Sequence, residues 1–193
     1  MKAITIDAMP VGARDLDLVE RHRYGDEAAF EEIYDRFGGM VYNLAWRLSN
    51  DPEEAADLTQ ETFLRIHRHL GKFRGGSTLK TWIYRIALNH CRGRLGRKRS
   101  WLPLAEETER TLPDPRRGPE ERALAHDAER RVASALAALP RRYAEAVVLC
   151  DLEGLPYQEI AEVLGVRIGT VRSRIARGRE RLRRVLEKAE GER

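Results

Sequence analysis

The chain has 193 residues, 42% of them hydrophobic and 34% charged, with a formal net charge of +4. This length holds one domain or two small ones, and the charge content suits a soluble helical protein better than a β-sandwich. No apolar run approaches the roughly 20 residues of a membrane span, and the start "MKAITIDAMP" lacks the apolar core of a signal peptide, so we expect a cytoplasmic protein without membrane insertion. Cys91 and Cys150 stand far apart with no CxxC pair or histidine cluster, which predicts reduced thiols and no metal site. We expect no cofactor either.

Charge is spread very unevenly along the chain. Residues 51–61 contain five acidic side chains and no basic one, whereas residues 62–105 contain eleven Lys or Arg and no Asp or Glu. So long a stretch without acids predicts a surface that meets a polyanion.

The first half of the chain has the pattern of successive helices. Apolar residues recur at helical spacing from Phe30 to Leu48, and after the loop "GKFRGGST" another helix is predicted from Leu79 to about Leu95. The residues of this later helix that should face inward are Leu79, Trp82, Ile83 and Ile86.

Between these segments, Asp51 marks a predicted helix start. Its side chain can cap the helix, Pro52 suits the first helical position, and Glu54 can complete a capping box. We expect this helix to run to about Leu70.

Residues 103–121 hold four of the eight prolines and show no helical periodicity, as in a linker. An alanine-rich helix follows, and further helices are predicted to begin at Pro140 and Pro156. We therefore predict an all-α protein of two small helical domains, residues 14–100 and 128–190, joined by a flexible linker over residues 101–127.

A helix-turn-helix is predicted near the C-terminus. Ala161, Gly165 and Val171 have its spacing. The small alanine lets two helices cross closely, the glycine permits positive φ in the turn, and the valine returns to the core. The buried stripe of the second helix is expected to be Val171, Ile175, Gly178 and Leu182. The alternative is a plain three-helix bundle with a basic surface, which would not need this spacing.

The second helix of this motif contains "GTVRSRIARGRERLRR", with seven arginines in sixteen positions. Residues near the start of such a helix reach base edges in the major groove, where arginine can grip guanine and a hydroxyl can contact base or phosphate. The candidate reading residues are Thr170, Arg172, Ser173, Arg174 and Arg177. The later arginines, within residues 179–184, are expected to meet phosphates or water.

The helix containing "DLTQETFLRIHRHL" predicts a surface for a protein partner. Leu58, Thr62 and Ile66 form its buried stripe, and the opposite side is acidic with one apolar residue at its centre. That side carries Glu53, Asp57, Gln60, Glu61 and Leu64. An acidic side would repel DNA and fit a partner with a basic surface, although a single exposed leucine is also ordinary.

A Mg²⁺-dependent helical nucleotide hydrolase is a further interpretation of these carboxylates. Such a site needs a second carboxylate-bearing helix facing the first, and the next helix contains no acid. We therefore do not expect an enzyme.

Basic and aromatic residues alternate through "KFRGGSTLKTWIYRIALNHCRGRLGRKRS", a pattern that suits contact with unstacked bases. The loop from Arg74 to Thr78 contains two glycines and two hydroxyls, whose exposed backbone donors could hold a nucleotide. Trp82 could contact a base, but packing beside Ile83 and Ile86 explains it at least as well.

Three stretches together resemble a known family: "DLTQETFLRIHRHL", "FRGGSTLKTWIYRIALN" and "LPRRYAEAVVLCDLEGLPYQEIAEVLGVRIGTVRSRIARGRERL". Their order and spacing, from about Asp26 to Leu186, resemble the extracytoplasmic-function sigma factors of bacterial RNA polymerase. The resemblance implies a sigma-two domain and a sigma-four domain, with a linker that threads toward the polymerase active-site channel. It also implies three kinds of partner: RNA polymerase core, promoter DNA and, in many members, an anti-sigma factor.

The resemblance implies roles for individual residues. The sigma-four domain would meet the polymerase β flap. Residues that would dock on the β′ clamp helices are Asp57, Gln60, Glu61, Phe63 and Leu64. Those that would capture a base flipped from the minus-ten element are Arg74, Gly75, Gly76, Ser77, Thr78 and Leu79, and those along the same strand are Lys80, Trp82, Arg85 and Asn89. Those that would read the minus-thirty-five element are Thr170, Arg172, Ser173, Arg174 and Arg177. The family loop often has an acid where Gly76 stands, so the preferred base is not predicted.

A LuxR-type regulator with a helical sensor domain is the runner-up, because such proteins carry a similar "EIA…L…TV" pattern. The acid-free stretch argues against it, since a ligand-sensing domain does not need such a surface. Adding the chain to core polymerase separates the alternatives. Only a sigma factor enables core polymerase to initiate specifically at promoters, whereas a hydrolase turns over nucleotide without DNA.

Overall fold

The computed structural model describes residues 11–98 and 131–191. Within these two ranges every regular element is helical, which confirms the predicted all-α fold. The helices are α1 (Val11–Arg23), α2 (Glu27–Ser49), α3 (Pro52–Leu70), α4 (Leu79–Lys98), α5 (residues 131–137), α6 (Arg141–Val147), α7 (Tyr157–Leu164) and α8 (Ile168–Gly191). A π-helical segment, Val148–Leu152, continues α6. The predicted linker, residues 101–127, lies outside the described residues. None of the described helices has both the length and the apolar character that crossing a membrane requires.

Helices α1 to α4 pack around an apolar core because each contributes one apolar face at helical spacing. The longest of the four, α2, lies along both α3 and α4. Fully buried side chains at the centre are those of Ile33, Leu44, Ile66 and Leu88. Of the α4 residues predicted to face inward, Leu79 and Ile83 are fully buried, and Trp82 and Ile86 lie partly buried at the edge.

Asp51 caps α3, which confirms that prediction. Its Oδ1 accepts hydrogen bonds from the backbone N–H groups of Glu53 and Glu54, at 3.0 and 3.2 Å. The predicted capping box is wrong, because the Asp51 N–H donates to Ser49 Oγ at 3.2 Å. The Glu54 side chain is buried instead, with Oε1 3.1 Å from Arg94 Nε. A cationic partner stabilises a buried carboxylate more than a neutral N–H does, so Glu54 turns toward α4.

Helices α7 and α8 form the predicted helix-turn-helix. Gly165 ends α7 in the left-handed conformation, with a φ of 67°. Val171 and Ile175 are fully buried, and Leu182 lies half-buried on the same side of α8. The predicted apolar stripe is therefore confirmed.

Gly178 lets α8 cross α6 closely. A Cβ atom there would lie 2.5 Å from Val147 Cγ2 and 3.2 Å from the Tyr143 carbonyl oxygen. Since backbone cannot yield as a flexible side chain can, Gly178→Ala should lower the free energy of unfolding by about 1–3 kcal/mol. Urea unfolding followed by circular dichroism measures this. The control is Gly169→Ala on the same helix, where a Cβ meets open space. Equal stabilities of the two variants would contradict the close crossing.

The two halves of the chain pack directly against each other. α4 contacts α7, and buried apolar residues from both halves belong to one continuous cluster that includes Ile33 of α2 and Ile175 of α8. The domains that the sequence predicts on a tether are thus docked together in this structure.

Candidate nucleic-acid and protein interfaces

The outer side of α3 is exposed and acidic, opposite the fully buried Leu58, Thr62 and Ile66. Its centre includes Leu64, which is 53% exposed, so an apolar group stands among the acids. We call this side the acidic surface; its residues are Glu53, Asp57, Gln60, Leu64 and the half-buried Glu61.

Phe63 does not belong to the acidic surface, contrary to its predicted docking role. Its side chain is 4% exposed, and its ring packs edge-on against Tyr34, at 4.7 Å between centroids, and against Phe30, at 6.3 Å. These partners lie on α2, so the buried side of α3 is wider than the stripe read from the sequence. Phe63 supports the helix from the core.

An arginine of α4 already binds the carboxylates at one edge of the acidic surface. Arg94 Nε lies 3.1 Å from Glu54 Oε1, Nη2 lies 3.5 Å from Asp57 Oδ2, and Nη1 contacts Glu61. Burial alone would raise the pKa of Glu61, but the hydrogen bond and charge of Arg94 outweigh burial and lower that pKa. The positive charge of Arg94 therefore favours the ionised form of Glu61. The Asp57 side chain is 63% exposed and can still meet a partner's cation.

His90 adds a second α4 contact to the same cluster. Its Nε2 lies 3.0 Å from Glu61 Oε2. Burial and then the charge of Arg65 lower the pKa of His90, and they outweigh the nearby Glu61, which raises it, so the neutral imidazole is favoured. Neither the Arg94 nor the His90 contact was predicted from the sequence. The sequence does contain a signal for these contacts. An acidic helix is followed by a helix with no acid, and neighbouring helices of opposite charge can pair.

This cluster does not resemble the metal site of a hydrolase. Glu54, Asp57 and Glu61 converge on an arginine, which stands where a cation would have to bind. The described parts of the chain contain no group of three or more His, Cys, Asp or Glu able to hold a metal ion.

The loop between α3 and α4 leaves its tip open to solvent. Arg74, Gly76 and Thr78 are exposed, and Ser77 is half-exposed. Thr78 also caps the start of α4, because its Oγ1 accepts a hydrogen bond from the Thr81 N–H at 3.1 Å. The loop is thus anchored at its end while several of its residues remain accessible.

The predicted strand-contacting residues of α4 divide into two groups. Leu79 is fully buried and cannot reach a base from this position. Trp82 packs edge-on against Phe73, with 5.6 Å between ring centroids, which supports the packing interpretation of this residue. The exposed members of the set are Lys80, Arg85 and Asn89.

The N-terminal half of α8 presents the predicted reading residues. Arg172, Ser173 and Arg177 are exposed, and Thr170 and Arg174 are half-buried. Ser173 Oγ donates to the Thr170 carbonyl at 3.0 Å, which leaves its own oxygen free to accept. These side chains surround the start of the helix, the part that enters a groove in helix-turn-helix proteins.

Three of the later arginines of α8, Arg179, Arg183 and Arg184, form ion pairs within the chain. Arg179 Nε donates to Asp151 Oδ2 at 2.9 Å, and this hydrogen bond is the main reason that the pKa of Asp151 is lowered. In two further ion pairs the partners lie one helical turn apart: Arg184 with Glu180, and Arg183 with Glu187. The side chains of Arg183 and Arg184 remain 70% and 68% exposed, so they can still meet phosphates.

Carboxylates of the second half bind one side of the first half. Arg92 of α4 donates to both oxygens of Glu145, at 2.9 and 2.7 Å, and Glu145 is 3% exposed. Tyr84 donates to Glu153 Oε2 at 2.6 Å, while Arg47 of α2 contacts Glu153 Oε1. Burial first, and then this hydrogen bond, raise the pKa of Tyr84.

A third carboxylate completes these interdomain contacts. Thr81 Oγ1 donates to Glu159 Oε2 at 2.7 Å. The acid-free stretch of sequence predicts a surface for a polyanion, and part of that surface binds the chain's own Glu145, Glu153 and Glu159. These three carboxylates were not predicted from the sequence, because nothing near them in the chain marks their partners.

Comparison with known proteins identifies the class. Residues 33–101 match the family model for Sigma-70 region 2, and residues 129–182 match the model for Sigma-70, region 4. The ECF RNA polymerase sigma factor SigE of Mycolicibacterium smegmatis is 40% identical over 179 residues, covering 87% of this chain and 66% of that protein. The RNA polymerase sigma-H factor of Pseudomonas aeruginosa is 36% identical over 183 residues, covering 90% and 94%. Among solved structures, CnrH in complex with the cytosolic domain of CnrY aligns with a TM-score of 0.68 and 26% identity, covering 90% of this chain and 97% of that one.

An all-helical fold with these two regions and a helix-turn-helix defines a transcription initiation factor of the sigma-70 type. The chain directs RNA polymerase core to promoters. It belongs to the ECF RNA polymerase sigma factors, the family that its sequence resembles.

Proposed function

We propose that three surfaces of this sigma factor carry separate steps of initiation. The acidic surface docks on the β′ clamp helices of core polymerase, and the loop 74–78 with the exposed residues of α4 takes up the minus-ten strand. The start of α8 reads the minus-thirty-five element, while its domain meets the β flap. The observation that carries this proposal is the placement of charge, because exposed acids lie on α3 and exposed cations lie on α4 and α8.

Transcription with purified components tests the proposal. The full chain is added to core polymerase and a library of DNA templates with random upstream sequence, and the RNA 5′ ends are sequenced. We expect discrete start sites preceded by two shared sequence elements. Core alone is the control. RNA that starts at the same positions with and without the chain would contradict the proposal.

Arginines in the two halves of α8 should differ in what they recognise. Because a bidentate base contact discriminates by about 1–3 kcal/mol and a phosphate contact weakens all sequences alike, Arg172→Ala and Arg177→Ala should each relax preference at one or two base pairs. Arg183→Ala should weaken every sequence equally and reduce the salt dependence. The measurement is holoenzyme binding to single-base variants of a selected promoter at two salt concentrations. Identical behaviour of Arg177→Ala and Arg183→Ala would reduce α8 to a charged surface.

Binding both promoter elements requires the interdomain contacts to break. Elements centred about 25 base pairs apart lie about 85 Å from each other at 3.4 Å per base pair. Two directly packed domains of this size cannot reach both. We therefore infer that the packed arrangement belongs to a chain that is not engaged with a promoter.

Our proposal also places the protein in the cytoplasm with core polymerase and gives it an anti-sigma protein as a further partner. The similarity to CnrH, which was solved with the cytosolic domain of CnrY, supports such a partner. No catalytic step is assigned to this chain, since bond formation belongs to the polymerase.

A further inference from the structure

We infer that α1 positions the loop 74–78, to which we assign the minus-ten strand, and that Arg23 and Leu16 are the residues of α1 that position this loop. The inference rests on the proposed function of the loop 74–78. α1 ends at Arg23, before the stretch of residues 33–101 that matches Sigma-70 region 2. A role for α1 therefore lies outside the matched region and is argued from its contacts alone.

Arg23 binds the backbone at the start of the loop. Its Nε donates to the Gly71 carbonyl at 2.9 Å, and its Nη2 donates to the Phe73 carbonyl at 2.5 Å. Carbonyl groups near the end of a helix lack partners within the helix, and α3 ends at Leu70. A planar guanidinium that bridges two such carbonyls sets their relative orientation, and so sets the direction in which the chain leaves α3.

Leu16 contacts the middle of the same loop. Its Cδ2 lies 3.3 Å from the position that a Cβ atom on Gly75 would occupy. Gly75 has a φ of 72°, in the left-handed region that favours glycine. Leu16 is 45% exposed, and packing against this glycine gives an apolar side chain near the surface a defined role.

The loop is therefore held at three points while its recognition groups stay free. Arg23 holds its start, Leu16 contacts its middle, and Thr78 joins its end to α4. Arg74 and Gly76 remain exposed between these points. A loop fixed before it meets DNA loses less conformational freedom when a base enters, so anchoring by α1 should favour capture of the flipped base. Neither Arg23 nor Leu16 has to touch the strand.

The test uses full-length variants, core polymerase and a promoter template selected with the unaltered protein. Permanganate reactivity of unpaired thymines measures opening, a separate titration measures affinity for core, and thermal unfolding measures stability. Because Arg23→Ala removes two charge-assisted hydrogen bonds, opening should fall about tenfold while affinity for core stays the same. Arg23→Lys lacks the planar guanidinium, so its promoter opening should lie between that of the unaltered protein and that of Arg23→Ala.

Further variants make the outcome decisive. Leu16→Ala should also reduce opening, and Arg68→Ala, an exposed arginine on α3, should not. A template with a pre-melted minus-ten region should restore transcription by Arg23→Ala, because a base that is already unpaired costs less to capture. Normal opening with both Arg23→Ala and Leu16→Ala would overturn the inference, as would parallel losses of opening, affinity for core and stability.

A last variant separates this inference from the function on which it rests. Replacing residues 74–78 by glycine and serine should block opening and leave binding to core intact. If opening persists in that variant, the proposed function of the loop fails. If opening is blocked there but normal in the α1 variants, the loop acts without help from α1.

Discussion

Reversing the charge of Asp57 should lower the affinity of the chain for core polymerase on the order of 100-fold, because a like charge against a basic partner costs several kcal/mol. Asp57 is the best residue of the acidic surface for this test. Its side chain is 63% exposed, and its 3.5 Å distance to Arg94 is the longest of that arginine's three acidic contacts. Asp57→Lys thus leaves Glu54 and Glu61 to hold Arg94. Titration of labelled protein with core measures the affinity.

Two further variants separate docking from folding. Glu31→Lys makes the same charge change at an exposed position on α2 and should bind core normally. Glu61→Lys should weaken docking and also lower the unfolding temperature, because it places a cation beside Arg94. If Asp57→Lys and Glu31→Lys bind core equally well, the acidic surface is not the docking site.

Glu145→Lys should separate the two docked halves of the chain. The new ammonium group would stand against Arg92 in a site where Glu145 is 3% exposed, with Arg141 Nε 3.6 Å from Glu145 Oε1 on the other side. Like charges that are buried together are strongly unfavourable, and separation of the halves returns them to water. A compact chain of this length has a radius of gyration of about 16 Å, and small-angle X-ray scattering should show a clear increase in the variant.

A charge swap provides the matched control. Arg92→Glu combined with Glu145→Lys restores opposite charges and should return the radius toward that of the unaltered protein. Circular dichroism should show the same helix content in all three proteins. The opened variant should also initiate at a lower protein concentration, because less of it occupies the docked state. A radius that does not change in Glu145→Lys would show that this ion pair does not hold the halves together.

The structural predictions that proved correct rest on residues that lie close together in the sequence. Asp51 predicts its cap, Gly165 predicts the turn, and the spacing of Val171 and Ile175 predicts the buried side of α8. Each depends on backbone geometry or on the 3.6-residue helical repeat, which a short stretch of sequence contains in full. The two matched regions and the acidic side of α3 could be predicted for the same reason.

Errors arose where two helices meet. A helical wheel of α3 alone predicts a narrow buried stripe. Packing against the rings of Phe30 and Tyr34 on α2 also buries Phe63, so the buried side is wider. Glu54 has the spacing of a capping box, yet its buried carboxylate pairs with the half-buried Arg94 of α4. In both cases the competing partner is close in space and distant in sequence.

Local sequence patterns were enough to predict which elements form, which sides of them are apolar or charged, and the family to which the chain belongs. Tertiary structure alone decided how charges are shared between helices, since Arg92 and Glu145 are 53 positions apart and meet only when the halves dock. It likewise placed Arg23 against the loop that follows α3. Such pairings depend on the packing of whole helices, and the electrostatic energy of a pair depends on distance and burial, which local sequence does not specify.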